Sequence, residues 1–208
     1  MSEHTRFTLP PLPYAADALF PAYGGGAISV HHDRIFGAHI DSLNILLDGR
    51  ESLKAKTVSE LLFTARLPPA DASEIRWHAG AVFAHTLYFR SMCQPSGGYP
   101  VPSGRLAELL ARDIGSYAEF CYQFRTMALS LAGAGFLYLV EERASGRVCL
   151  KICRDYEVPS PARYRLLLCT DLWEHAYFSD YAEDRAKATD VFLSVVNWKE
   201  AEKNLKEN

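Results

Sequence analysis

Three segments of this 208-residue chain hold imidazole or carboxylate groups in apolar surroundings. SVHHDRIFGAHIDSLN puts His31, Ile35, His39 and Leu43 on one line if it is helical, because i and i+4 positions share a helix face. HAGAVFAHTLYF sets His85 inside an apolar, aromatic helix face. TDLWEHAY ends an apolar strand on Asp171 and places His175 four residues later, at a helix start beside Trp173. A lone histidine on an apolar face is more often a satisfied core residue than a ligand. Three of them in separate apolar segments, with a nearby aspartate, suit manganese, iron or zinc. Hydrolytic zinc chemistry is a more distant option, since no carboxylate is evidently placed as a general base.

These residues need elements to hold them. Residues 15–92 read as helical: AADALF precedes a YGGG break, then AISVHHDRIFGAHIDSLNILLDG keeps a 3.6-residue apolar period up to a glycine stop. TVSELLFTARL is a shorter helix, and DASEIRWHAGAVFAHTLYFRSMC follows with Asp71 or Ser73 as its N-cap. Two long amphipathic helices joined through a short one predict an antiparallel hairpin. QPSGGYPVPSGR, dense in Gly, Pro and Ser, marks a boundary. Beyond it come one or two helices, a β-hairpin turning at RASGR, a third strand in RYRLLLCTDLW, and helix from His175 to the end. The fold class is α+β: an N-terminal arm and antiparallel helical hairpin over 1–93, a linker over 94–105, and a C-terminal α/β domain with a small three-stranded antiparallel sheet over 106–208.

Composition bounds the function. A hydrophobic fraction of 49% with 23% charged residues is ordinary for a soluble globular chain. A net charge of -3 argues against a general nucleic-acid binder. No apolar run reaches membrane-span length, and MSEHTRFTLPPLPY lacks the apolar core of a signal peptide. Five cysteines without a disulfide framework suit a reducing, cytoplasmic setting. Cys149 and Cys153 point to one face of a strand but lack a second pair for zinc, and Cys169 packs behind Asp171.

LPPLPYAADAL, HHDR…SLN, HAGAVFAHTLYF, GAGFLYLV, TDLWEHAYFSDY and VVNWKEAEKNL together resemble the iron/manganese superoxide dismutases over nearly the full length of the chain. The DxWEHAY string is the most specific of them. The resemblance implies metal ligands His31, His85, Asp171 and His175 around one iron or manganese ion per subunit, with superoxide as substrate. It implies an aromatic wall of Phe83, Tyr88, Phe136 and Trp173, and basic entrance residues Arg34 and Arg185. A homodimer or tetramer is expected, with Glu174 pairing with His175 of the partner subunit.

Several positions depart from the family pattern. His39 stands where the family usually has a tyrosine guarding the substrate channel; it is expected to face the pocket and relay protons. The family's glutamine near the metal is missing: the iron-type position is Ala81, the manganese-type position aligns with Tyr156, and Tyr156, Asp155 and His39 are all open as its substitute. This loss leaves open a metal-binding relative with weak or altered redox activity. Ile35 and Phe178 replace a polar bridge between subunits by two apolar residues, so the two are expected to meet across an interface.

Overall fold

The computed structural model describes residues 7–95 and 100–206. Parts of the expected arm, linker and C-terminal helix, with His4, lie outside these described residues.

The N-terminal half is built on two long antiparallel helical stretches. The first runs as α1 (Gly25–Ser29), a π-helical segment (Val30–Phe36) and α2 (Gly37–Leu46). Short α3 (Glu51–Lys54) and α4 (Val58–Phe63) lead to α5 (Ala72–Arg90). A capping box starts α4: the Glu60 N–H donates to Thr57 Oγ1 while the Thr57 N–H donates to Glu60 Oε2. Asp71 occupies the N-cap of α5 without capping it, because its carboxylate pairs with Arg50 instead. The arm is tied along α2, where Asn44 exchanges hydrogen bonds with the Phe7 backbone at 3.0 and 2.9 Å.

The C-terminal half begins with α6 (Gly104–Asp113) and α7 (Tyr117–Ser130), then β1 (Gly135–Glu142), β2 (Arg147–Arg154) and β3 (Tyr164–Asp171). The antiparallel sheet has the order β2-β1-β3, and Phe136 on β1 pairs with Asp171 on β3. The central strand β1 is buried from Gly135 to Val140. Phe36, Tyr88, Phe120, Phe124, Phe136 and Phe192 are among the largest fully buried side chains, each contributing roughly 1.5–3 kcal/mol of transfer free energy. The helical hairpin and the three-stranded sheet are as the sequence predicts.

Three local expectations are corrected. AADALF forms turns, and the helix after it starts inside the glycine run at Gly25. The segment after His175 is broken into a 3₁₀ turn (Glu174–Ala176), α8 (Phe178–Tyr181), α9 (Arg185–Ser194) and α10 (Trp198–Lys206). Ala182, at φ 48, takes a left-handed conformation that ends α8. Most consequentially, the helix carrying His31 has a π segment: the Gly37 N–H donates to the His32 carbonyl, five residues back. The extra residue per turn carries the His31 face on to Phe36, Ile40, Leu43 and Leu47, all buried, and leaves Ile35 half-buried.

Candidate metal centre

Four side chains from four elements converge. His31 comes from the π segment, His85 from the middle of α5, Asp171 from the end of β3 and His175 from the 3₁₀ turn after it. Asp171 Oδ2 lies 3.3 Å from His31 Nε2, 3.6 Å from His85 Nε2 and 3.3 Å from His175 Nε2. One ligand atom from each residue fits within 4.8 Å of all the others. Donors bonded at about 2.0–2.2 Å to one ion stand roughly 3–4 Å apart, so the spacing matches the edges of a coordination polyhedron.

In two of the four residues the second polar atom is used up in a way that turns the first inward. His85 Nδ1 donates to the Ala81 carbonyl at 2.8 Å, which leaves Nε2 as the lone-pair nitrogen. Asp171 Oδ1 accepts the Trp173 N–H at 2.8 Å, leaving Oδ2 over. His31 Nε2, His85 Nε2, Asp171 Oδ2 and His175 Nε2 are buried with no hydrogen-bond partner. Orphaned buried polar atoms are costly unless something compensates them; three imidazole nitrogens and a carboxylate oxygen aimed at one point fit a transition-metal ion.

Burial sets the charges. It lowers the His31 imidazole from its ordinary range and pushes His85 down to about 3, so both stand neutral. Burial alone would raise the Asp171 carboxyl, but His175 and His31 beside it hold it below the usual carboxylate range. The set is therefore two neutral imidazoles and an anion, with His175 completing it.

The wall around this point differs in part from the expected one. Tyr88 lies 5.3 Å from the His31 ring, Phe136 5.8 Å from His85, and Trp173 stacks on His175 at 5.6 Å. Phe83 does not join them. Two residues from His85 is more than half a helical turn, and Phe83 lines a separate groove with Val58 and Leu166. Its place is taken by Phe36, stacked on His85 at 5.3 Å, and Phe89, 5.1 Å from His31. Phe89 was legible as i+4 from His85, whereas Phe36 reached the site only through the π turn.

His39 and Tyr156 flank the group, each with its ring 5.8 Å from His85. His39 Nε2 and the Tyr156 hydroxyl are 3.1 Å apart, and His39 Nδ1 is 3.0 Å from His78 Nδ1. Burial first, then His78, pushes His39 down to about 4; burial raises the Tyr156 phenol. His32, next to His31, has no part in the cluster and bonds the Pro10 carbonyl at 2.9 Å.

Of the outer residues, Arg34, Glu174 and Phe178 are exposed. The Arg185 guanidinium donates to the carbonyls of Leu131 at 2.7 Å and Gly133 at 2.8 Å. The five cysteines are free, and none belongs to the donor cluster.

Two family models match this chain: the alpha-hairpin domain of the iron/manganese superoxide dismutases over residues 6–93, and their C-terminal domain over residues 102–204. The chain belongs to the iron/manganese superoxide dismutase family. Among curated family members, a superoxide dismutase [Fe] of Legionella pneumophila is 36% identical, the match covering 96% of this chain and 99% of that one. A superoxide dismutase [Fe] of Methanothermobacter thermautotrophicus is 31% identical over 99% of this chain and 97% of its own length. A superoxide dismutase [Mn/Fe] of Rickettsia typhi is 31% identical, covering 96% and 93%.

Proposed function

We propose that the chain is a superoxide dismutase, with His31, His85, Asp171 and His175 as ligands of a single iron or manganese ion. The observation that carries this is the set of four buried, unpartnered donor atoms facing one centre. An ion held there supplies the change of oxidation state by which one superoxide is oxidised to oxygen and the next is reduced to peroxide.

The chain's own residues supply the rest. Two neutral imidazoles and one carboxylate leave a divalent or trivalent ion net positive, which favours approach of an anion. Arg34 and Arg185 add positive charge on the way in. Phe36, Phe89, Phe136 and Trp173 keep bulk water from the donors. Reduction of superoxide to hydrogen peroxide consumes two protons, and His39, hydrogen-bonded to Tyr156, is placed to pass them.

The reading extends to assembly and setting. Two subunits would meet through Ile35 and Phe178, with Glu174 reaching His175 of the partner subunit. Phe178 is 57% exposed, and the Gly24 N–H bond to Asp180 at 3.1 Å fixes α8 beside the start of α1. Replacing both members of a polar pair by apolar groups can be nearly neutral. Five free thiols fit a cytoplasmic, antioxidant role, with 94–105 linking the hairpin to the α/β part.

Metal analysis of the purified protein, followed by activity assays after loading with iron and with manganese separately, tests this. About one ion per chain and dismutation with at least one metal are expected. Stoichiometric metal without dismutation would leave a metal-binding relative of altered redox activity, and no bound metal would overturn the ligand set as well.

A further inference from the structure

Resting on that reading, we propose that His78 is the solvent-side end of a proton path that runs through His39 to Tyr156. His78 Nδ1 stands 3.0 Å from His39 Nδ1, and His39 Nε2 stands 3.1 Å from the Tyr156 hydroxyl. Two nitrogens at hydrogen-bond distance share one proton between them. The two rings and the phenol therefore form a single file in which each bond's direction dictates the next. The file crosses the molecule from outside to inside: His78 and His39 are half-buried, Tyr156 is 6% exposed, and its ring lies 5.8 Å from His85. Burial lowers the His78 imidazole from its ordinary range, and the exposed Glu74, one turn earlier on α5, offsets part of that.

With both rings neutral, one passage balances as follows. Water gives a proton to His78 Nε2, and the His78 Nδ1 proton moves to His39 Nδ1. The His39 Nε2 proton moves to the Tyr156 oxygen, and the Tyr156 hydroxyl proton leaves to the substrate side. Every N–H and O–H bond broken along the file is matched by one formed and no ring retains charge; each passage leaves both rings in the opposite tautomer, and exchange of their N–H protons with water restores the starting one. His78 has no other assigned role: it lies two helical turns from His85 and takes no part in the donor cluster.

The test is His78→Phe in the full-length, metal-loaded protein, compared with the parent at high superoxide concentration. Metal content stays at the parent level, turnover falls on the order of tenfold, less than the roughly 10²–10⁴-fold of a proton-transfer group acting directly on substrate, and the solvent deuterium isotope effect changes. Added imidazole restores part of the rate. In the metal-free full chain, the ring ¹⁵N shifts of His39 move when His78 is replaced, a readout independent of activity. If His78→Phe does not keep its metal, His78→Gln is judged by the same measurements. An active parent with unchanged turnover and isotope effect in the variant, or unmoved His39 ring shifts, overturns the path. A parent inactive with either metal overturns the functional reading, and the path's role with it.

Discussion

Gly80 and Tyr156 touch so closely that a Cβ built on Gly80 would stand 2.1 Å from the Tyr156 carbonyl oxygen. The missing side chain lets the turn after β2 lie against α5. Asp155, at φ 50, bends that turn, a conformation Asp tolerates better than most residues. Tyr156 is thereby carried between Trp173, stacked on it at 4.9 Å, and His39. Gly80→Ala is expected to cost about 1–3 kcal/mol by overpacking against backbone, with a fall in Tm seen by calorimetry. An unchanged Tm would show that the turn can move away freely.

Replacing His39 by Phe keeps an aromatic ring in place and removes both hydrogen bonds. Metal content should stay intact while turnover slows and its pH dependence changes. A pH–rate profile superimposable on the parent's would refute the relay role.

Asp171 is the only anion in the donor set, and its buried Oδ2 is 3.3–3.6 Å from three imidazole nitrogens. Asp171→Asn removes that charge without changing shape. Metal affinity should fall by more than about 100-fold, beyond what loss of an outer hydrogen-bond partner usually costs. Retention of a full equivalent of metal after dialysis against chelator would contradict the ligand assignment.

Acid stability of the metal-free protein follows from His85. Its folded pKa is about 3 against an ordinary 6.5. Between those values the unfolded chain binds a proton that the folded one does not. Stability is thus complete above pH 6.5 and is lost as pH falls towards 3, with a slope of up to about 1.4 kcal/mol per pH unit for this one group. His31, lowered by burial, acts in the same direction. Asp171, also lowered, adds a loss at lower pH, below its ordinary 3.8. Urea midpoints measured from pH 7 to pH 4 should fall steadily; a flat profile over that range would mean that the imidazoles are not held neutral by the fold.

Phe178→Asp places a carboxylate where an apolar residue is 57% exposed. If Phe178 meets Ile35 of a second subunit, sedimentation should show a shift towards monomer while the folded state of each chain persists. Sedimentation identical to the parent's would place the interface elsewhere.

Much of this protein was readable along the chain. The apolar periods of the helices, the aromatic and β-branched strands about the RASGR turn, and the donor residues in HHDR, FAHT and DLWEHAY are local patterns, and local patterns determine element type and chemical inventory. What surrounds the donors was decided by tertiary structure. A seven-residue π segment rotated Phe36 into the place beside His85 and left Ile35 half-buried, because one extra residue per turn changes which side chains share a face. Phe83 went to the other side of α5 because two residues of a regular α-helix turn the chain through more than half a circle. His78 and Tyr156 met His39 across separations of 39 and 117 residues. Such meetings depend on how helix and sheet pack, including a glycine with no side chain to hold them apart, and no spacing within a single segment records them.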